Sequence, residues 1–328
     1  MENGNYAGLE EKIFSVSDSV SFEKTALEVF FFQREHCEVY RSFVNALGRP
    51  DPRNLYEIPF LPIQFFKEHE IRSFTRDVDT VFMSSGTTGM IRSSHYVESL
   101  SMYERSFFPT YKAQIGNPEE QVIIALLPNY IEQGQSSLVY MVDRLIQSTK
   151  SPLSGFYLHH PEQVISAYQK ASSLNKQVVI FGVSYALLDL AEAAPDFSSA
   201  IIIETGGMKG RRKEMSKDEL HQILKDSFNV PYIASEYGMC ELLSQAYSRE
   251  DGLFGFPAWM KALIREVNDP FEYIFDGKTG GINVIDLANL YSCSFISTQD
   301  LGKQEHGLIK LMGRFDHSDI RGCNLLIS

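Results

Sequence analysis

The sequence predicts an α/β fold built on doubly wound sheets that are mixed or parallel. Four short apolar runs predict strands buried on both faces, over residues 79–83, 121–128, 177–183 and 199–207. Helical patterns over residues 161–170 and 185–194 lie between these runs. Ser216 and Glu219 form a capping box at the start of a further helix. Such alternation of strands and helices is typical of a sheet covered by helices on both faces.

The N-terminal part predicts one long amphipathic helix. Ser21 is placed to cap this helix, and apolar residues recur at helical spacing as far as Leu47. Gly48, which is followed by Pro50 and Pro52, predicts the end of the helix.

The C-terminal part of the chain has a different character. Residues 280–287 and 295–302 predict strands joined by turns. We therefore expect residues 1–255 to form the α/β core. Residues 256–328 are expected to form a smaller β-rich subdomain packed on that core at the C-terminal end.

Composition narrows the class of protein. The 328 residues are 44% hydrophobic, enough for one large or two closely packed domains. A formal net charge of -12 argues against a general nucleic-acid binder, whose contact face is basic, but not against a small anionic ligand. No leader pattern and no apolar run of the ~18 residues of a membrane span is present. The scattered cysteines predict neither a metal site nor disulfides and indicate a reducing cytoplasm; they are Cys37, Cys240, Cys293 and Cys323.

A run of small and hydroxyl residues directly follows the first predicted sheet strand. Glycine and hydroxyl residues after a strand allow backbone amides to converge on phosphate oxygens. The Walker A spacing is absent, and a solvated loop is the alternative interpretation. The hydroxyl-rich segment consists of Ser84, Ser85, Gly86, Thr87, Thr88 and Gly89.

Four motifs, in order along the chain, resemble those of the acyl-adenylate-forming enzymes. S-S-G-T-T-G at 84–89 resembles the phosphate-loop motif of that superfamily, and S-E-Y-G-M-C-E at 235–241 resembles its Y-G-x-T-E element. T-Q-D-L-G at 298–302 resembles its T-G-D motif, and G-R-F-D-H-S-D-I-R-G at 313–322 resembles its hinge. The resemblance implies ATP-dependent activation of a carboxylic acid as acyl-AMP, with the core of the chain binding nucleotide and acyl group.

Within this superfamily the chain most resembles the LuxE-like acyl-protein synthetases over most of its length. The features that carry this resemblance are the chain length, P-F-L-P-I-Q-F-F-K-E-H-E at 59–70 and the ending R-G-C-N-L-L-I-S at 321–328. Those proteins activate a fatty acid with ATP, hold it as a thioester on a cysteine near the C-terminus and pass it to a partner reductase. The phenylacetate–CoA-ligase-like enzymes share the four motifs and are the nearest competitors.

The resemblance implies a role for each motif residue. The hydroxyl-rich segment would hold the triphosphate, and Glu241 would bind Mg²⁺, which needs only one or two protein ligands. Tyr237 would lie against the adenine, Gly238 would allow a close turn, and Gly206 with Gly207 would line the purine pocket.

Two further residues belong to the later motifs. Asp300 would accept hydrogen bonds from both ribose hydroxyls, and Arg314 would reach the ribose or the phosphate. Considered singly, each motif residue has an ordinary alternative: a core tyrosine for Tyr237, a surface acid for Glu241, a turn residue for Asp300 and half of an ion pair for Arg314.

The sequence departs from the superfamily pattern in the first two motifs. Arg92 stands near the position of the usual lysine, and a guanidinium and an ammonium are not interchangeable beside phosphate. Cys240 replaces a threonine, so a hydroxyl contact to the α-phosphate is lost or reduced to a weak thiol donor.

The largest departure is at the end of the chain, where only six residues follow Gly322. We therefore expect the usual small C-terminal lysine domain to be absent, leaving adenylation to Arg92, the metal or a partner. Cys323 stands where LuxE-like proteins carry the acyl-accepting cysteine, and Arg321 beside it would favour the attacking thiolate. A buried cysteine in a terminal strand is the alternative.

The sequence thus predicts a cytoplasmic AMP-forming acid–thiol ligase that uses ATP and Mg²⁺. Its substrate would be a carboxylic acid, expected to be a fatty acid, and the thioester would form on Cys323 or on a partner such as an acyl reductase or acyl carrier. The alternatives are an aryl- or acyl-CoA ligase and a catalytically weak nucleotide-binding partner of an acyl reductase.

Overall fold

A computed structural model describes residues 8–85, 91–128, 135–206, 215–249, 252–275 and 277–315. Among these residues no helix is long and apolar enough to cross a membrane. The helices are α1 (Leu9–Phe14), α2 (Ser19–His36), α3 (Glu38–Leu47), α4 (Phe65–Glu68), α5 (Leu100–Gln114), α6 (Ser137–Thr149), α7 (Pro161–Ser173), α8 (Ser184–Ala191) and α9 (Lys217–Phe228).

The first nine strands are β1 (Leu61–Pro62), β2 (Thr80–Met83), β3 (Ser94–Val97), β4 (Gln121–Leu126), β5 (Gly155–Phe156), β6 (Gln177–Val183), β7 (Ile201–Thr205), β8 (Ala234–Tyr237) and β9 (Ala246–Ser248). The remaining strands are β10 (Leu253–Phe254), β11 (Met260–Arg265), β12 (Gly280–Asp286), β13 (Phe295–Glu305) and β14 (Leu308–Arg314).

The chain divides into two compact units, each with its own large sheet. The parallel-sheet unit comprises the described residues of Thr80–Arg92 and Ser99–Gly252. The antiparallel-sheet unit comprises those of Met1–Asp79, Ser93–Glu98 and Leu253–Ser328.

The parallel-sheet unit confirms the predicted α/β class. Its sheet has the strand order β5-β4-β6-β7-β8-β9, in which β9 alone of these strands runs antiparallel to its neighbour. Every residue of β4 is buried, as is every residue of β6 after the first, in agreement with strands covered on both faces. The strands β6, β7 and β8 therefore end side by side, so the residues that follow them lie at one edge of the sheet.

The antiparallel-sheet unit holds the C-terminal strands in the order β10-β14-β13-β12-β11. These strands pair antiparallel, and β1 pairs parallel with β13 through Leu61 and Ile296. The unit therefore contains the strands predicted at 280–287 and 295–302.

The division differs from the expected boundary between residues 1–255 and 256–328, because the N-terminal segment groups with the C-terminal strands. The Gln33 side chain, which is fully buried, makes several of the hydrogen bonds between these parts of the chain. Its Nε2 donates to the carbonyls of Asn289 (3.0 Å) and Leu290 (2.8 Å), and its Oε1 accepts from the Ser294 amide (2.9 Å). These hydrogen bonds pair the polar atoms of the buried Gln33 amide, and they join α2 to the segment before β13.

The predicted helix from Ser21 to Leu47 is wrong in two respects. The N-cap is Asp18, whose Oδ1 accepts from the Ser21 amide at 2.8 Å. Ser21 is the third residue of the helix, and its side chain completes the capping box. The helix is also interrupted, because the buried Cys37 has extended backbone (φ −95°, ψ 106°) between α2 and α3. The predicted end is confirmed, since Gly48 adopts φ 60° directly after α3.

Candidate functional site

The hydroxyl-rich segment begins directly after β2. Ser84 and Ser85 are its two described members; Gly86, Thr87, Thr88 and Gly89 lie outside the described residues. The Arg92 Nε donates to the Ser84 carbonyl oxygen at 2.5 Å, so the guanidinium contacts the first residue of the segment. This contact uses one of the five N–H donors of the guanidinium.

The Y-G element lies at the carboxyl end of β8. Tyr237 is the last residue of the strand and is 7% exposed, whereas Gly238 is exposed. A Cβ at Gly238 would lie 2.4 Å from Glu236 Oε1, closer than any side chain could approach. A larger residue at this position would require the Glu236 carboxyl group to move.

The other two candidates of this motif, Cys240 and Glu241, lie in the turn that follows. In this turn the Leu242 amide donates to the Met239 carbonyl at 3.1 Å. Glu241 is 5% exposed, which makes it a buried acid and not the surface acid of the alternative interpretation. Cys240 is a half-buried thiol. The two other described cysteines, Cys37 and Cys293, are fully buried, as expected for core residues.

Two buried carboxyl groups lie at the ends of β7 and β8, and the sequence reasoning did not single them out. Thr205 Oγ1 donates to Glu236 Oε2 at 2.5 Å, joining the two strand ends. Glu204 Oε1 accepts from Ser184 Oγ at 2.6 Å, and its Oε2 lies 3.2 Å from Lys217 Nζ. The signal in the sequence is an acid at the end of an apolar strand, as in I-I-I-E-T-G-G.

The two acids differ in charge because their partners differ. Burial raises the pKa of Glu204, but the nearby His221 ring, whose Nε2 lies 3.8 Å from Oε2, and the charge of Lys217 outweigh it and bring the pKa to about 2. Burial raises the pKa of Glu236 to about 7; the Thr205 hydrogen bond opposes this shift and the negative charge of Glu204 adds to it. Near neutral pH the pair therefore holds one full negative charge and one titrating group.

Gly206 directly follows β7, and its neighbour Gly207 lies outside the described residues. The Gly206 carbonyl lies 3.5 Å from the Oγ of Ser184, the residue that directly follows β6. The purine-pocket candidate Gly206 and the adenine-face candidates Tyr237 and Gly238 thus lie at the carboxyl edge of one parallel sheet, where open α/β sheets bind ligands.

The T-Q-D motif forms a bulge in β13. On either side of the bulge Asn283 pairs with Ser297 and Gly281 pairs with Leu301, so three residues, 298–300, stand opposite the single residue Ile282. Thr298 Oγ1 donates to the Ile282 carbonyl (2.9 Å) and accepts from the Asp300 amide (3.1 Å).

Asp300 is presented by this bulge and is 6% exposed. Arg314 stands opposite it in β14 and donates from Nε to Asp300 Oδ1 at 2.9 Å, while its own side chain is 75% exposed. The structure therefore brings Asp300 and Arg314 together as an ion pair. Cys323, the candidate acyl acceptor, lies outside the described residues.

Comparison with solved structures defines the fold. An open conformation of 2-hydroxyisobutyryl-CoA ligase in complex with 2-HIB-AMP and CoA matches 93% of this chain and 77% of its own, with 13% identity and a TM-score of 0.65. ATP-bound MatB from Rhodopseudomonas palustris matches 74% of this chain with 17% identity and a TM-score of 0.55. This chain spans 49% of the MatB chain, about half its length. The chain has the fold of the adenylate-forming ligases.

No protein-family model and no curated protein sequence matches the chain significantly.

Proposed function

We propose that this protein is an AMP-forming ligase that activates a carboxylic acid with ATP and transfers the acyl group to a thiol. The observation that carries the proposal is the fold, which matches a ligase structure containing an acyl adenylate over 93% of the chain. The placement of the motif residues supports it, because Gly206, Tyr237 and Gly238 lie at a sheet edge suited to ligand binding.

The proposed reaction has two steps. A carboxylate oxygen attacks the α-phosphorus of ATP, a new P–O bond forms, the bond to the β-phosphate oxygen breaks, and pyrophosphate leaves. A thiolate then attacks the acyl carbon, the bond from that carbon to the AMP oxygen breaks, and AMP leaves with that oxygen. Neither step needs an oxidant, and both depend on positioning and on stabilising negative charge.

The chain's own residues supply these effects in the proposal. Ser84 and Ser85, with the rest of the hydroxyl-rich segment, donate hydrogen bonds to the triphosphate, and Arg92 adds positive charge beside them. Asp300 accepts hydrogen bonds from the ribose hydroxyls. Arg314, through its ion pair with Asp300, holds that carboxylate in position for these contacts. Cys240 stands beside Glu241 as a weak donor.

Glu241 fits a divalent cation by its chemistry, since a carboxylate oxygen is a preferred ligand of Mg²⁺ and this acid is 5% exposed. Bound Mg²⁺ would offset phosphate charge. Among the described residues no group of three or more His, Cys, Asp or Glu side chains is placed to hold a metal ion. A magnesium ion held by one protein carboxylate, substrate phosphates and water is consistent with that arrangement.

The proposed acid is a fatty acid and the proposed acceptor is Cys323, both on the resemblance to LuxE-like proteins, in which a partner reductase receives the acyl group. The second candidate is a CoA ligase. It is favoured by a specific comparison: 2-hydroxyisobutyryl-CoA ligase in its thioesterification state, with CoA bound, matches 93% of this chain at a TM-score of 0.65.

Acid-dependent exchange of labelled pyrophosphate into ATP tests the first step. We expect exchange with at least one acid from a graded panel of fatty and aromatic acids, in the presence of Mg²⁺. Fatty acids alone should support it if the LuxE-like proposal holds, and aromatic or short acids if the CoA-ligase candidate does. Absence of exchange over the whole panel, with an acyl reductase added, would favour a nucleotide-binding partner without ligase activity.

The Cys323→Ser variant tests the acceptor. We expect the wild-type protein, incubated with ATP and a labelled fatty acid, to carry a label that hydroxylamine removes, because thioesters are cleaved by this nucleophile. The variant should lose this label and keep pyrophosphate exchange. Cys240→Ser is the matched control and should keep the label; a Cys323→Ser protein with full labelling would exclude this acceptor.

A further inference from the structure

Arg265 is a buried arginine at the end of β11, 8% exposed, and no sequence motif pointed to it. Its Nε donates to Asn283 Oδ1 on β12 and to Ser297 Oγ on β13, each at 3.1 Å. Its Nη2 donates to the Thr298 carbonyl at 3.2 Å. The guanidinium thus links three strands and contacts the first residue of the bulge that carries Asp300.

The bulge needs such contacts because three residues opposite one leave backbone groups without ladder partners. The Thr298 carbonyl is bound by Arg265, the Asp300 amide by Thr298 Oγ1, and the Gln299 carbonyl by the Phe315 amide at 2.9 Å. The Phe315 ring also packs on the Arg265 guanidinium, with 5.3 Å between Cζ and the ring centroid.

Gly281 makes room for this guanidinium. It pairs directly with Arg265 in the ladder between β11 and β12. A Cβ at Gly281 would lie 2.5 Å from Arg265 Cζ and 2.6 Å from Nη1, so any other residue would displace the guanidinium. The buried position of the Arg265 guanidinium therefore depends on glycine at residue 281.

We infer that Arg265, seated on Gly281, is a positioning residue that holds the Thr298–Asp300 bulge and thereby aims the Asp300 carboxylate at the ribose of ATP. The ribose part of this inference rests on the proposed function, whereas the holding of the bulge does not. Arg265 acts through the Thr298 carbonyl and does not touch the nucleotide.

The experiment compares Arg265→Met, Arg265→Lys and Gly281→Ala with the wild type in two measurements. Lysine keeps the charge but cannot bond Asn283, Ser297 and Thr298 at once, because an ammonium lacks the planar fork of a guanidinium. The first measurement is hydrogen exchange of the Asp300 and Phe315 amides, resolved by NMR. We expect exchange at these amides to be about tenfold faster in each variant, as for the loss of one supporting hydrogen bond.

The second measurement compares the affinities of ATP, 2′-deoxy-ATP and 3′-deoxy-ATP. We expect the wild type to prefer ATP and the variants to bind ATP about tenfold more weakly, with a smaller loss for each deoxynucleotide, which keeps only one hydroxyl for Asp300. A merely structural role would weaken all three nucleotides equally. In an Asp300→Asn background, Arg265→Met should cause no further loss of that preference.

Two matched controls belong to this design. Lys261→Met removes a positive charge from the same strand, and Gly155→Ala adds a methyl group whose nearest neighbour, Tyr157, lies at an ordinary 3.6 Å. Neither control should change either measurement. Thermal melts show whether Arg265→Met folds. If it does not, Arg265→Lys and Gly281→Ala are compared with the wild type in its place.

Unchanged exchange at the Asp300 amide in Arg265→Lys and Gly281→Ala would overturn the inference, as would faster exchange with an unchanged preference for ATP. Failure of the proposed function has a different signature. In that case the wild-type protein binds none of the three nucleotides, while the variants still show faster exchange at the bulge.

Discussion

Replacing Glu241 with glutamine is expected to lower acid-dependent pyrophosphate exchange by about a hundredfold to a thousandfold, the range for loss of one preorganised electrostatic contact. The reason is chemical: the amide keeps the shape of the side chain but removes the negative charge that Mg²⁺ requires. The exchange assay should be repeated over a series of Mg²⁺ concentrations. We expect the variant to need more Mg²⁺ for its remaining activity.

Glu104→Gln is the matched control for this prediction. Glu104 is a part-buried acid of the same unit, and it accepts hydrogen bonds from Tyr140 (2.7 Å) and Arg144 (2.8 Å). Its amide variant should keep wild-type exchange and the wild-type dependence on Mg²⁺. A Glu241→Gln protein that behaves like this control would show that Glu241 does not bind the metal.

The Glu236→Gln variant is expected to be more stable than the wild type at pH 8. Glu236 has a pKa of about 7 in the folded protein against an ordinary value of 4.5, mainly because burial disfavours its charge. The folded state therefore binds the proton more tightly than the unfolded state. The free energy of unfolding must fall as pH rises from 4.5 to about 7 and is unaffected by this group above that range.

The size of the effect follows from the two pKa values. At about 1.4 kcal/mol for each pH unit, their separation corresponds to about 3 kcal/mol as an upper bound. Glutamine resembles the protonated acid and carries no charge, so the variant should lack this decline. Denaturant unfolding from pH 4.5 to pH 8 measures it directly, and equal curves for the two proteins would contradict the assignment.

Glu204→Gln is the control of opposite sign. The pKa of Glu204 is about 2, so this acid contributes stability that is complete above pH 4.5 and is lost as pH falls through 2. Its replacement should destabilise the protein at pH 7 and leave Lys217 without its carboxylate partner. The two variants therefore shift stability in opposite directions although both remove one buried acid.

Several strands and helices of the parallel-sheet unit follow from local patterns, but the strand predicted at 79–83 is not buried on both faces: it forms β2, in which only Phe82 is buried, and it pairs with β3 outside the large sheet. Residues 121–128 and 177–183 are continuous apolar runs, and they form β4 and β6 because burial on both faces demands such runs. The helix that begins at Lys217 follows from its cap, since Ser216 Oγ accepts from the Glu219 amide at 3.1 Å. Signals of this kind lie within a few residues of the structure they specify.

Features that depend on distant contacts were not predicted. One of the side chains that join α2 to the C-terminal part is Gln33, whose partners lie about 256 positions away in the chain. The break at Cys37 is likewise marked by no glycine or proline in the sequence. A helical pattern carries no information about either.

The candidate site likewise contains residues that local motifs predict and features that depend on distant contacts. Tyr237, Gly238, Glu241 and Asp300 could be named because they belong to motifs. The bulge that presents Asp300 could not, since it depends on the register between β12 and β13. The roles of Glu236 and Arg265 could not be predicted either, because they follow from the contacts that each side chain makes in the folded protein.

In the proposed reaction the carboxylate attacks the α-phosphorus of ATP. The most direct measurement uses an acid that supports exchange, labelled with ¹⁸O in its carboxyl group, and mass spectrometry of the products after acyl transfer. We predict that AMP gains one ¹⁸O atom and that pyrophosphate gains none. Label in orthophosphate together with ADP would contradict the account, because it would place the attack on the γ-phosphorus.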